Sequence, residues 1–168
     1  MLSKLLKADD CKKCKKCCKF FLKEDWDIPL ITETEKNLQN FNSNIVYFHS
    51  KLWKINILGL NNKKRTACPF LDESRGCILK DNKPFECKIW PFQIMKRKKN
   101  IPLIALSKEC SIINNCDKES LITMAIENKD KLFKVAIEYP EMLKCFSDDY
   151  EVILEFDQES FHENRYCI

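Results

Sequence analysis

Glycine and histidine are scarce in this sequence, which has only two residues of each type among 168. A dinucleotide-binding fingerprint and a P-loop each need several glycines in one short turn, so both motifs are excluded. The shortage also counts against a Rossmann-type methyltransferase, whose cofactor loop needs close backbone approach. Because His49 and His162 are far apart in the chain, neither histidine-assisted hydrolysis nor a water-activating zinc site has local support. The sequence therefore assigns no catalytic residue.

Long apolar runs are also lacking. The first ten residues, MLSKLLKADD, have no apolar core of the kind that a secretory signal requires. No later segment reaches the roughly 18 consecutive apolar residues of a membrane span. The expectation is a cytoplasmic protein with no membrane partner, folded as a single domain over residues 1–168.

Cysteine, in contrast, is abundant, with 11 residues. In a reducing cytosol, clustered thiols are more often metal ligands or redox groups than disulfides. The first four cysteines, in the CKKCKKCC run at residues 11–18, follow the spacing C-x2-C-x2-C-C, and two-residue gaps let thiolates converge on one metal centre. The lysines between them make this stretch too hydrophilic for a buried core. The run therefore predicts a metal site.

The remaining ligands are expected from later in the chain. Cys17 and Cys18 are adjacent, and adjacent side chains point in different directions, so Cys18 is predicted to serve a second centre. The best partition gives Cys11, Cys14 and Cys17 one remote cysteine as a fourth ligand. Eight thiolates fill two four-coordinate sites. The predicted ligands are Cys11, Cys14, Cys17, Cys18, Cys68, Cys77, Cys87 and Cys110.

Other residues near these motifs receive plainer interpretations. Cys145 and Cys167 are isolated in the sequence and are expected to be small buried hydrophobic residues. Cys116 is left open as a spare ligand. Three acids close to the later cysteines could support metal ligands, but ordinary loop acids are the favoured interpretation. These acids are Asp72, Glu73 and Glu86.

The pattern of apolar residues predicts an α+β fold, with a small irregular metal-tied core, short strands and a helical C-terminal part. Thr32 and Glu35 have the spacing of a capping box, which predicts a helix over about residues 33–41. The density of proline and cysteine predicts an irregular loop between Cys68 and Pro91. The other expected elements are helical turns at 2–23, strands within 45–58, a hairpin around 98–100, a helical region at 117–146 broken near Asn128, with a short helix from Pro140 to about Phe146, and a strand at 151–156.

The cysteine segments resemble those of a known family. CKKCKKCC followed by CPFLDESRGCILKDNKPFECKIWPF at residues 68–92 is similar to the motifs of the CxxCxxCC (YkgJ-like) family of zinc- or iron-chelating proteins. The resemblance covers about residues 11–110, the cysteine-cluster region, and implies chelation by eight cysteines. Lys83 and Lys88 stand where the family has arginine, which keeps the positive charge but loses a bidentate guanidinium. The cluster segment is also distantly similar to that of flagellin lysine methylases, whose activity is not transferred because this chain lacks their extra length.

The choice of metal rests on spacing. A C-x2-C-x2-C triple with a remote cysteine beside proline is typical of a 4Fe-4S cluster, and Cys68 precedes Pro69. Zinc sites more often use two C-x2-C pairs, whereas the later cysteines here are separated by gaps of eight and nine residues. One or two iron-sulfur clusters, for electron transfer or an iron-sulfur-dependent modification, are therefore favoured over zinc.

The alternative is a zinc-stabilised module that binds protein or RNA without catalysis. Basic runs at 63–65 and 96–99 lie near Phe70, Trp90 and Phe92 in the sequence, and exposed aromatic residues beside lysines can hold single-stranded nucleic acid. Nucleic acid is not the favoured partner, because a pI near 8.4 is mild and these aromatic residues are expected in the core. If clusters form, the lysines around the first motif are expected to dock an acidic redox partner protein.

Overall fold

The computed structural model has an α+β fold, as the sequence predicts, and it describes most of the chain. The residues group into two compact units, Met1–Trp90 and Pro91–Ile168. The expectation of a single domain stays a prediction. The described residues are 12–21, 28–38, 41, 44–57, 65–97, 101–111, 113 and 116–156. Among them, none of the helices combines the length and the apolar character that crossing a bilayer requires.

The first unit contains a three-stranded antiparallel sheet. Its strands are β2 (Leu30–Thr32), β3 (Ile45–His49) and β4 (Leu52–Ile55), in the order β2-β4-β3. Ser50 and Lys51 join β3 to β4 in a two-residue turn, and both have positive φ angles, of 46° and 63°. This is the conformation that matches the twist of paired strands in tight hairpins. The strands predicted within 45–58 are thus confirmed as one hairpin.

The helix that follows β2 begins where the sequence predicts. Helix α1 (Glu33–Leu38) is preceded by Thr32, whose hydroxyl accepts the N–H of Glu35 at 3.2 Å. The Glu35 carboxylate in turn accepts the N–H of Thr32 at 3.1 Å. This reciprocal pair is a capping box, and it satisfies N–H groups that have no partner within the helix.

The cysteine-bearing segments form short elements. Residues 12–14 are helical and Lys16–Cys18 form a 3-10 turn. The helical turns predicted for 2–23 do not continue, because Lys19–Phe21 are strand β1, which pairs with β5 (Arg65–Ala67). The remaining elements of this unit are β6 (Leu71–Asp72), β7 (Gly76–Cys77), a 3-10 turn at Lys80–Asn82 and helix α2 (Phe85–Ile89).

The segment from Cys68 to Pro91 is therefore more regular than the irregular loop predicted for it. One cause is local: the Asp72 carboxylate accepts the N–H groups of Ser74 and Arg75 at 2.9 and 2.7 Å and closes the turn between β6 and β7. A second cause is Pro84, which immediately precedes helix α2. A fixed proline φ angle suits a helix start as well as a loop, so proline density alone misled the prediction.

The second unit is a four-stranded sheet with two helices. The strand order is β10-β8-β9-β11, with β8 (Phe92–Lys96), β9 (Pro102–Ser107), β10 (Lys144–Cys145) and β11 (Tyr150–Glu155). Strands β8 and β9 are antiparallel, which confirms the predicted hairpin, although residues 98–100 lie outside the described part. The helices are α3 (Lys118–Glu127) and α4 (Lys129–Glu138), separated at Asn128 as predicted.

The end of the predicted helical region is wrong. The short helix expected from Pro140 to about Phe146 is a 3-10 turn over Pro140–Met142, followed by strand β10. Pairing with the edge of β8 competes with helix here: Cys145 lies opposite Lys96, and the Phe146 N–H donates to the Lys96 carbonyl at 3.0 Å. Cys145 is exposed on this edge strand, so the expectation that it is buried is also wrong.

Candidate metal centre

A two-stranded ladder brings the first and second cysteine motifs together. Cys18 immediately precedes β1, and Cys68 immediately follows β5, its antiparallel partner. The ladder extends one step beyond the strands, because the Cys68 N–H donates to the Cys18 carbonyl at 2.8 Å. Cys68 is buried and packs in the core of the first unit, and Cys18 and Cys77 are partly buried against that core.

The β6–β7 hairpin returns Cys77 to the same place. The Leu71 N–H donates to the Cys68 carbonyl at 2.9 Å, which turns the chain into β6. Cys77 on β7 lies opposite Leu71, and the next N–H, that of Ile78, donates to the Phe70 carbonyl at 2.9 Å. The tight turn between the strands requires a positive φ at Gly76, which is 80°.

Helix α2 presents Cys87, and two carboxylates hold that helix. The Phe85 N–H, in the first turn of α2, donates to Glu35 Oε1 at 2.6 Å. Glu86 Oε2 accepts the N–H of Leu30 at 2.6 Å, and Glu86 is buried. Each carboxylate thus fixes α2 to the β2–α1 segment through a charge-assisted hydrogen bond.

These carboxylates were not identified from the sequence. Glu86 was interpreted as an ordinary loop acid, but it lies within a helix and is 5% exposed. Glu35 was identified only as a helix cap, yet burial raises its pKa and its second oxygen reaches Phe85. Each of these bonds joins residues 50 or more positions apart in sequence. Local spacing carries no signal for such a contact.

Four thiols form one electrostatic group. The pKa of the Cys68 thiol is raised to about 12, mainly by burial. Charge on Cys18 and Cys77 also raises it, whereas a hydrogen bond from the Phe70 N–H lowers it. Burial also raises the pKa of Cys77. Burial raises the pKa of Cys87 well above the ordinary thiol value, and charge on the other three thiols raises it further. Charge on Cys18 therefore makes ionisation harder at Cys68, Cys77 and Cys87.

Cys18 differs from the other three thiols. A hydrogen bond from the Cys17 side chain lowers the pKa of Cys18 to about 7, opposed by burial and assisted by the positive charge of Lys83. Without a metal, Cys18 is thus the thiol that ionises near neutral pH, while Cys68, Cys77 and Cys87 stay protonated. Lys83 is one of the two lysines that replace the arginines of the resembled family, and its charge acts on Cys18 and Cys77.

An ion pair ties the first cysteine run to the β6–β7 turn. Lys15 Nζ donates to the carbonyl oxygen and to Oε2 of Glu73, at 2.5 and 2.7 Å. Lys15 has a φ of 53°, so the chain reverses between residues 12–14 and the 3-10 turn. Gly76 lies close to Lys12 beside this pair, because a Cβ added to Gly76 would be 3.2 Å from Lys12 Cγ. Glu73 is an exposed acid of the β6–β7 turn, as expected from the sequence, and it pairs with a lysine of the cysteine run.

Of the other predicted ligands, Cys17 contacts this group, because its side chain hydrogen-bonds to Cys18. Cys14 and Cys17 lie in the described part of the first unit, partly buried and exposed respectively, and Cys11 lies outside the described residues. Cys110 is buried in the second unit. Within the described part of the chain, no three His, Cys, Asp or Glu side chains are arranged so that they could hold a metal ion. The chemistry of the four grouped thiols nevertheless fits a soft metal or an iron-sulfur cluster, because thiolate sulfur is the ligand that both prefer.

Comparison with protein families identifies a chelating domain. A family model, CxxCxxCC, described as "Putative zinc- or iron-chelating domain", matches residues 10–125. No match was found among curated proteins or among solved structures.

Proposed function

This chain belongs to the CxxCxxCC family of zinc- or iron-chelating domains, and from that premise we propose that Cys18, Cys68, Cys77 and Cys87 hold one metal centre. The observation that supports this most is the pairing of Cys68 with Cys18 at 2.8 Å, with Cys77 packed against the same core. Four sulfur donors complete a tetrahedral zinc site or the corners of a 4Fe-4S cluster. Cys18 and Cys68 lie at the end of the β1–β5 ladder, Cys77 lies on the β6–β7 hairpin, and Cys87 lies on helix α2.

Binding at this centre requires two changes in the protein. The four side chains draw together, because the described residues hold no ready arrangement for a metal ion. The buried thiols also lose their protons, since thiolates are the ligands. A bound cation supplies the positive charge that makes three further thiolates stable beside Cys18. Because Cys68 belongs to the core of the first unit and Cys18 and Cys77 pack against it, metal binding contributes to folding free energy.

We favour an iron-sulfur centre, serving electron transfer or a modification reaction. The support at this centre is the proline that follows Cys68, and the C-x2-C-x2-C triple supports the same choice for the second centre. Exposed lysines of the first motif, such as Lys13 and Lys16, suit an acidic redox partner. For the predicted second centre, the ligands proposed from the sequence are unchanged. They are Cys11, Cys14, Cys17 and one remote cysteine.

The deciding experiment is purification under anaerobic conditions, with an absorption spectrum and analysis of iron, sulfide and zinc. A brown protein with iron and acid-labile sulfide supports the proposed cluster. The matched pair of variants is Cys87→Ser, which removes a grouped thiol, and Cys145→Ser, which removes an exposed thiol of the second unit. Cys87→Ser is expected to lose metal and Cys145→Ser to keep it. Wild-type protein that binds neither iron nor zinc contradicts the proposal.

The second candidate is a zinc-stabilised binding module, which a colourless protein with stoichiometric zinc would favour. The aromatic residues that the sequence placed beside the basic runs give it little support. Phe70 and Phe92 are buried, at 3% and 1% exposure, and cannot stack on a nucleic-acid base. Zinc would occupy the same four thiols, so the placement of the centre does not depend on the metal.

A further inference from the structure

The end of the β3–β4 hairpin exposes aromatic side chains. This hairpin tip comprises Tyr47, Phe48, His49, Lys51 and Trp53. Tyr47 is 62% exposed and Phe48 is 40% exposed, whereas Phe20, Phe41 and Phe70 of the same unit are buried. Two large rings at adjacent strand positions leave apolar surface in water, where contact with a partner is favourable.

The rings at the hairpin tip support one another. Tyr47 and Trp53 pair across the strands, with ring centroids 5.5 Å apart and planes at 81°. Phe48 and His49 have centroids 4.3 Å apart. A two-residue turn closes the hairpin immediately beyond them. The tip therefore carries two ring pairs on a hairpin, one held across the strands and one between neighbouring residues.

Lysines lie against these rings. Lys36 Nζ is 3.5 Å from the centroid of Trp53, and Lys54 Nζ is 4.7 Å from that of Phe48. Lys51, in the turn, is exposed. The acidic residue Glu33 also lies at the hairpin tip, because its backbone N–H donates to the Lys51 carbonyl. Lys54 is 8% exposed, so Lys36 and Lys51 are the lysines that offer positive charge to a ligand beside the exposed rings.

We propose that the hairpin tip binds single-stranded nucleic acid. Its bases would stack on Tyr47 and Phe48, and its phosphates would interact with the lysines. Every base has a π face, so aromatic side chains combined with lysines bind single strands with little sequence preference. An acidic peptide would match the lysines but would leave the exposed rings without a planar partner. A duplex keeps its base faces stacked inside the helix.

The test measures binding of full-length protein to labelled oligouridine and oligothymidine of about 15 nucleotides, by fluorescence anisotropy. Tyr47→Ala and Phe48→Ala are each expected to weaken binding about tenfold, because each removes a stacking surface. Tyr47→Phe keeps the ring and should bind like the wild type. Lys51→Ala should reduce the dependence of affinity on salt. Ile126→Ala, at a site 51% exposed in the second unit, is the matched control and should change nothing.

Several results would overturn the proposal. One is undetectable binding by wild-type protein at about 50 mM salt, where phosphate contacts are strongest. Another is equal affinity of Tyr47→Ala, Phe48→Ala and wild type, which would assign any binding to other lysines. Equal affinity for a duplex or for polyglutamate would assign the surface to charge alone. None of these readouts depends on the metal, so this proposal and the chelation proposal fail separately.

Discussion

The backbone N–H of Cys68 donates to the carbonyl of Cys18 at 2.8 Å, so two cysteines from separate motifs are neighbours in one ladder. Strands β1 and β5 fix this relationship through three further residue pairs. The position of the two cysteines therefore comes from backbone pairing, before any metal binds. The thiols at Cys77 and Cys87 are added to this pair by a hairpin and a helix.

The first prediction concerns the reactivity of Cys18 in metal-free protein. Because its pKa is lowered to about 7, its thiolate fraction rises as pH increases through about 7. Alkylation by iodoacetamide, mapped by mass spectrometry, should accelerate over that range at Cys18. Cys68, with a pKa raised to about 12, should remain unreactive.

The matched variants are Cys17→Ala and Cys17→Ser. Cys17→Ala removes the hydrogen bond that lowers the pKa of Cys18, so alkylation should shift to higher pH. Cys17→Ser keeps a hydrogen-bond donor, so the pH at which Cys18 is alkylated should shift less. If Cys18 alkylates with the same pH profile in both variants and in the wild type, the hydrogen bond does not control this thiol.

The second prediction concerns Glu35, which joins helix α1 to helix α2. Glu35→Gln places an amide group against N–H donors of Thr32 and Phe85, and leaves at least one donor unsatisfied. The free energy of unfolding should fall by about 1–2 kcal/mol in urea titration. Glu33→Gln, at an exposed position in the same helical turn, should change it by less than about 0.5 kcal/mol. Equal losses in the two variants would argue against a bridging role.

The third prediction concerns Gly76, where φ is +80° and an added Cβ would lie 3.2 Å from Lys12 Cγ. Gly76→Ala should destabilise the protein by about 1–2 kcal/mol, because an L-residue is strained in this conformation. It should also weaken metal binding, since the β6–β7 turn holds Lys15 and the cysteine run. Ser74→Ala in the same turn is the control and should have the smaller effect. Unchanged thermal stability of Gly76→Ala would contradict the prediction.

The fourth prediction is a stabilising change. Lys51 has a φ of 63° in the two-residue hairpin turn, a position that favours glycine. Lys51→Gly should raise the free energy of unfolding by about 1 kcal/mol, because it removes left-handed strain. Lys13→Gly, at an exposed helical position, should lower it instead. A loss of stability in Lys51→Gly would show that the turn is not strained.

The sequence predicted the elements that depend on neighbouring residues. The capping box of Thr32 and Glu35, the break at Asn128, the strand character of 45–58 and the β8–β9 hairpin are all set by local spacing. It failed where pairing with a distant strand decides the structure, as at Cys145, which joins β8 instead of extending a helix. Hydrogen bonds of a single side chain across the fold, such as Glu86 to Leu30, leave no periodic pattern to detect.

For the candidate site, the sequence supplied the donors but not their partition. Cysteine spacing predicted Cys18, Cys68, Cys77 and Cys87 as ligands among eight, and it separated Cys18 from the run that precedes it. The sequence could not determine that these four thiols group together, because β1 must first pair with β5. It also could not identify Lys15 and Glu73 as a tie between the two motifs, since exposed charges of this kind occur throughout the chain.

The most direct test of the central claim is the metal content of four single variants purified anaerobically beside the wild type. The variants are Cys18→Ser, Cys68→Ser, Cys77→Ser and Cys87→Ser, with Cys145→Ser as the control. If the four thiols hold one centre, each of the four variants loses the same amount of metal and Cys145→Ser loses none. Retention of the full wild-type metal content by two or more of the four variants would contradict the account.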